Sequence, residues 1–253
     1  MTPTDPAVLP GAEAWSAPGG PHGALVLHGF TGNPTSMRPL AERLAAAGLA
    51  VELPRLPGHG TTVEDMATTS WPDWSAAAEA AYADLAARCE RVVVAGLSMG
   101  GTLAAWLAVE HPEIAGLVLV NPAVEPIPPM RDLVEAVAAQ GEAFMPGVGS
   151  DIAAPGVIES AYDRAPVAGL LSLLDAVDAL QPRLPGIRCP ILLATSPHDH
   201  VVPPTGGDHL AGLVAGPVTR LVLERSFHVA TLDLDRELLE DAAVRFAGEV
   251  TGG

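Results

Sequence analysis

Residues 96 to 100 read GLSMG, a serine with a glycine two positions to either side. RVVVA lies directly upstream and GTLAAWLAVEHP downstream, so the serine sits where a strand hands over to a helix. A turn that sharp crowds its neighbours, and small residues at Gly96 and Gly100 leave the room it needs. The bland reading is a tight connecting turn. The chemical reading makes Ser98 a nucleophile at its apex, with the helix N-terminus bringing N–H groups and a positive dipole end beside it. A hydroxyl is a weak nucleophile until a base takes its proton, so the chemical reading requires partners.

Of eight histidines, His228 has the informative position: SFHVATLD follows the last predicted strand and precedes the last predicted helix. A base there stands at the carboxyl end of a sheet, on the same side as a serine that caps a strand. His28 in HGF and His59 in GHG read as loop anchors, His111 ends a helix, and His198 and His200 read as exposed. His22 and His209 have no telling context. A general base needs a carboxylate to fix its tautomer, and Asp199 follows the strand ILLAT in SPHDHVVP. Asp208, Asp233 and Glu125 are its rivals; the first two read as solvated or helix-capping acids, and Glu125 opens a proline-rich stretch. The order Ser98, Asp199, His228 favours Asp199. The oxyanion of a tetrahedral intermediate needs two N–H donors, for which Met99, after the serine, and Phe30, in HGFTGNP after an earlier strand, are the candidates.

The elements that must hold these residues follow from short apolar runs alternating with Ala/Leu-rich stretches. Residues 24–28, 49–53, 92–95, 117–120, 191–195 and 218–223 predict buried strands, mostly continuous and apolar as parallel strands covered on both faces should be. Between them fall helices, one from about Trp71 to Arg88 with a Ser70/Asp73 capping box, another from near Pro39 to Gly48. The alternation implies an α/β fold with a doubly wound, mostly parallel sheet. From Pro122 to Pro190 the rhythm breaks: PAVEPIPPM, then helical pieces at 131–139 and 167–180, with no convincing strand. We read residues 1–122 and 189–253 as the core and 123–188 as a helical cap inserted in it.

Composition bounds the partners. The 253 residues are 49% hydrophobic and carry a formal net charge of −17, which repels phosphate backbones and anionic headgroups, so nucleic acid is not expected. Two cysteines, Cys89 and Cys189, far apart and without C-x-x-C spacing, offer neither a disulfide framework nor a thiolate metal site. The uncharged run 92–109 approaches a membrane span in length, but the glycines and serine in its middle suit strand, turn and helix better. MTPTDPAVLPGAEAW lacks the basic and apolar regions of a signal peptide, and a cytoplasmic enzyme is the default.

HGFTGNP, GLSMGG, HDHVVPP and SFHVATLD, in this order, resemble the bacterial monoacylglycerol lipases and related small carboxylesterases from about His22 to Phe246, with VGSD and IESAY in the insertion. The resemblance implies an α/β-hydrolase core with a helical cap, a Ser98–Asp199–His228 triad and an oxyanion hole from Phe30 and Met99. HGFT replaces the HGGG of many other lipases, which points away from the HGGG-type esterases. Glu159 of IESAY matches a position where the family has an acid facing the glycerol end of its substrate; an exposed helix acid is the alternative. Met130, Leu170, Leu171 and Leu174 would line an acyl tunnel or pack the cap internally.

The leading expectation is therefore a serine hydrolase of carboxylic esters, working through an acyl-enzyme on monoacylglycerols and short-to-medium-chain esters. It needs no metal or organic cofactor. The alternatives are a general carboxylesterase with a non-glyceride substrate and, from another class, a ligand-binding protein on the hydrolase fold. An epoxide or haloalkane hydrolase is disfavoured, because Ser98 stands where those enzymes use aspartate.

Overall fold

The computed structural model describes residues 6–252; residues 1–5, which open the N-terminal stretch discussed above, and Gly253 lie outside them. The described strands are β1 (Trp15–Ala17), β2 (His22–Leu27), β3 (Ala50–Leu53), β4 (Arg91–Leu97), β5 (Gly116–Val120), β6 (Phe144–Pro146), β7 (Arg164–Pro166), β8 (Ile191–Thr195) and β9 (Val218–Val222). The α-helices are α1 (Arg38–Ala46), α2 (Val63–Met66), α3 (Trp71–Ala86), α4 (Met99–Glu110), α5 (Pro128–Ala139), α6 (Val167–Leu180), α7 (Gly206–Leu213) and α8 (Arg236–Thr251).

Seven strands form one sheet in the order β1-β3-β2-β4-β5-β8-β9, parallel except for β1 against β3. Alternate residues of the central strands face opposite ways. Leu25, Leu27 and Val94 join a core with α3, α4 and α6, while Ala24, Val26, Val93 and Ala95 join one with α1 and α8. The chain leaves β2 for β3 on one side and returns to β4 on the other. The strand order reverses between β2 and β4, and their carboxyl ends are where such a sheet opens a crevice.

Local signals hold where they were strong. Asp73 accepts the Ser70 N–H at 2.9 Å, the reciprocal arm of the capping box at the start of α3. Pro39 lies in the first turn of α1, and Gly48 just beyond its end has φ 99°, a left-handed conformation that favours glycine. β1, an antiparallel edge strand too short to show periodicity, lies outside the predicted strands. Two expectations need correction. β9 is an edge strand with Thr219, Arg220 and Val222 exposed, and not covered on both faces. The connection from β5 to β8 is not purely helical: β6 and β7 pair antiparallel, Met145 opposite Ala165, between α5 and α6. Each has three residues and a proline, so no alternation announced them. No helix among the described residues is long and apolar enough to cross a membrane.

Candidate active site

Ser98 joins β4 to α4 with φ 54° and ψ −116°, a strained conformation for a residue with a side chain. The surrounding glycines are what permit it. A Cβ on Gly96 would lie 2.1 Å from the Gly100 carbonyl oxygen, and one on Gly100 would lie 2.2 Å from that of Leu27. Gly29 packs the other side, where a Cβ would lie 3.5 Å from that of Ser98. The Ser98 carbonyl accepts the N–H of Gly101 at 2.8 Å, starting α4, and its own N–H donates to Val120 at 3.0 Å. Neither the Ser98 hydroxyl nor the Phe30 and Met99 N–H groups are hydrogen-bonded to protein among the described residues, which leaves two polar groups unspent at the β4–α4 turn and one in the loop after β2.

Phe30 is held from below by buried histidines. His28 Nδ1–H donates to the Gly29 carbonyl at 3.0 Å, and its Nε2 accepts the Leu56 N–H at 3.1 Å. Both bonds require the neutral ring, and burial, reinforced by neighbouring His59, holds its pKa well below the ordinary value. The Gly29 carbonyl and the Phe30 N–H share one peptide plane, so fixing the first aims the second. His59 stacks edge-on against His28 at 4.9 Å and Trp74 at 5.6 Å, and burial lowers its pKa to about 4. Trp74 in turn meets the Phe30 ring at 5.7 Å. Both histidines are the loop anchors the sequence suggested.

His228 follows β9 in a loop whose backbone is bonded on two sides. The Asn121 amide donates to the His228 carbonyl at 2.8 Å, and the His228 N–H donates to Asp151 at 3.0 Å. Its Nδ1–H donates to Asp199 Oδ2 at 2.7 Å, and Asp199 is fully shielded, its side chain 1% exposed. Asp199 Oδ1 accepts the N–H groups of Val201 at 2.7 Å and Val202 at 2.9 Å, which orients the carboxylate toward the ring. The rival acids are occupied elsewhere. Asp208 pairs with Arg220 at the surface, and Glu125 accepts the Thr205 hydroxyl. Asp233 is buried and not solvated: its carboxylate accepts the N–H groups of Ala153, Ala154, Phe227 and Leu234.

Ser98, His228, Phe30 and Glu159 line one cavity of about 190 Å³, together with Met130, Leu170 and Leu174. Leu171 is not among its lining residues. Burial pushes the Glu159 carboxyl up to about 7, against the opposing pull of His228 and Ser36. The IESAY segment is stitched to the loop carrying Phe30. Asn33 donates to Ser160, the Tyr162 N–H donates to the Thr31 carbonyl at 3.1 Å, and a Cβ on Gly32 would lie 2.8 Å from Glu159 Oε1. Sequence reasoning missed Asn121, Asp151 and the true surroundings of Asp233. Asp151 ends the VGSD stretch of the resemblance, with no role attached to it, and Asn121 carried a local signal: an asparagine directly after β5, at φ 41°, is one of the few side chains that tolerates that conformation.

A profile of the Alpha/beta hydrolase family matches residues 24–242. The chain is 44% identical over 248 residues to the thermostable monoacylglycerol lipase of Bacillus sp. (strain H-257), spanning 97% of this chain and 98% of that one. It is 28% identical over 238 residues to the carboxylesterase of Bacillus subtilis (strain 168), spanning 90% and 93%. A solved structure from work on LipS and LipT, two metagenome-derived lipolytic enzymes, superposes with a TM-score of 0.92 at 42% identity, covering 96% of this chain and all of that one. The chain belongs to the alpha/beta hydrolase family, among its carboxylic ester hydrolases.

Proposed function

We propose that the protein hydrolyses monoacylglycerols by a Ser98–Asp199–His228 triad beneath a cap formed by residues 123–188. The observation that carries the reading is the shared cavity: the strained serine, the histidine bonded to a shielded aspartate carboxylate, and the acid Glu159 in a mostly apolar lining. In this mechanism His228 takes the Ser98 proton as Oγ attacks the ester carbonyl. Asp199 keeps the ring in the tautomer whose Nε2 is free to accept, and steadies the imidazolium that forms. The unspent N–H groups of Phe30 and Met99 receive the oxyanion. His228 then protonates the departing glycerol oxygen, and a water activated by the same ring cleaves the acyl-enzyme.

One acyl chain lies along Met130, Leu170 and Leu174, while the glycerol hydroxyls meet Glu159, whose carboxyl near neutral pH is part protonated and both donates and accepts. A triacylglycerol carries two more chains that such a cavity cannot bury. Each methylene that enters the apolar lining contributes roughly 0.8 kcal/mol, so rates should climb with chain length until the cavity is full. The reading takes a cytoplasmic location, supported by the free thiols of Cys89 and Cys189. The test is initial hydrolysis of detergent-dispersed mono- and trioleoylglycerol at matched ester concentration. A strong preference for the monoacyl lipid supports the reading, and equal rates contradict it. A general carboxylesterase would show no such preference, and a ligand-binding protein would release no more than one equivalent of product.

A further inference from the structure

The loop bearing His228 and the loop bearing Asp199 come from different strand ends, yet a single carboxylate from the β5–β8 insertion is bonded to both. Asp151 Oδ2 accepts the backbone N–H of His228 at 3.0 Å and that of His200 at 3.1 Å. Its Oδ1 meets His200 Nδ1 at 2.8 Å, and its backbone carbonyl accepts the Val229 N–H at 3.1 Å. His200 also packs edge-on against Phe227, with ring centres 4.6 Å apart. Two and three residues further along the insertion, Ala153 and Ala154 donate their N–H groups to Asp233, which accepts that of Phe227 as well. The Asp151 side chain is 14% exposed and its bond to the His228 N–H is partly buried, whereas its bonds to His200 lie at the surface.

We propose that Asp151 is a positioning residue for the triad, holding the His228 and Asp199 loops in mutual alignment so that the base is set only when the insertion is docked. The proposal rests on the triad reading above. His228 and Asp199 must keep a 2.7 Å contact; the core ties their loops at one end, where Ser196 donates to the Phe227 carbonyl at 2.9 Å, and Asp151 ties them at the other. Consecutive N–H groups of the acid's loop divide between two carboxylates: His200 donates to Asp151, Val201 and Val202 to Asp199 itself. On the histidine, Asn121 of the core holds the carbonyl and Asp151 of the insertion holds the N–H, so the peptide is clamped from both sides. Burial raises the Asp151 carboxyl, but the bonds from His200 and His228 outweigh it and hold the pKa below the ordinary value. The clamp is therefore charged at neutral pH. The insertion then does more than cover the substrate, because its docking and the geometry of the base become one event.

The test compares Asp151→Ala and Asp151→Asn on a short soluble ester and on a monoacylglycerol, with His228→Ala as control. A loosened base costs turnover whatever the acyl group, so Asp151→Ala should lower kcat about 10–100-fold on both substrates, with KM within about threefold of wild type. Asn keeps one oxygen able to accept both backbone N–H groups and should recover kcat to within about fivefold of wild type. The far-downfield proton resonance of His228 Nδ1–H should shift or broaden in the Ala variant and return in the Asn variant. Should Asp151→Ala fail to fold, Asp151→Glu moves the carboxylate by one methylene and is expected to lose kcat about tenfold, again with KM intact. Wild-type kcat in the Ala or Glu variants, a loss confined to KM, or no recovery in Asn overturns the clamp while an inactive His228→Ala keeps the triad. Full activity in His228→Ala removes the triad itself.

Discussion

Two walls of one cavity are built by opposite means. The elbow at Ser98 is made by close backbone approaches that no Cβ would allow, Gly96 against Gly100 within the turn and Gly100 against Leu27 of the neighbouring strand. The facing wall, from Phe144 to Pro166, has two three-residue strands and is pinned by bonds to distant chain. Asp151 reaches a partner 77 residues away, and Asn33 reaches Ser160 across 127. The elbow is rigid because covalent geometry and sterics leave it one conformation. The wall is ordered by side chains and N–H groups that hold only while the insertion is docked. In the proposed mechanism the first carries the nucleophile, while the second turns Glu159 to the cavity and Asp151 to the base, so the two should fail differently.

The largest effect should come from the elbow. Ser98→Ala removes the nucleophile and should lower ester turnover by at least about 10⁴-fold while the thermal unfolding curve stays in place. Asp199→Asn comes next. It disturbs tautomer and orientation and should cost about 10³–10⁴-fold in kcat, with KM little changed. Asp233→Asn sharpens the contrast, since that carboxylate ties the insertion to the His228 loop and should cost about 1–3 kcal/mol of stability in a denaturant melt, not catalysis itself. If Asp233→Asn abolished turnover while Asp199→Asn kept it, the acid of the triad would be misassigned.

Apart from Asp151, which acts through the base, effects on the wall should be smaller and specific to substrate. Glu159→Ala should lower kcat/KM for a monoacylglycerol by about tenfold, the worth of one hydrogen bond to a hydroxyl, and leave an acetyl ester unchanged. Glu159 also leaves a mark on stability. Its carboxyl titrates near 7 in the folded chain, above its ordinary 4.5. Between those values the folded chain holds a proton the unfolded chain has lost, so this group erodes stability as pH rises and its cost is complete above about 7. Glu159→Gln should therefore raise Tm by roughly 2–4 °C at pH 8.5 and not at all at pH 4. A Tm gain of equal size at both pH values would break the link to ionisation.

The same contrast explains what could be read without coordinates. Strands β2, β4, β5 and β8 were legible because burial on both faces writes a continuous apolar run, and Ser98 because the elbow's sterics demand glycines nearby. His228 and Asp199 followed from where those strands end. Asp233, expected to be solvated or to cap a helix, is buried instead, because four N–H groups from three stretches of chain surround it and backbone donors leave no trace in side-chain types. VGSD marks Asp151 in the sequence, but its bonds to the backbone of the His228 and His200 loops are invisible there for the same reason. β6 and β7 are three residues each, shorter than the alternation that would reveal them.

The central claim is that Ser98 is the residue that becomes acylated, driven by His228. The most direct measurement is peptide mass spectrometry after reaction with a fluorophosphonate, which bonds covalently to an activated serine. The account predicts one adduct per chain, on the peptide containing Ser98, absent from Ser98→Ala and formed at least about a hundredfold more slowly in His228→Ala. An adduct on another residue, or undiminished labelling of Ser98→Ala, would contradict it.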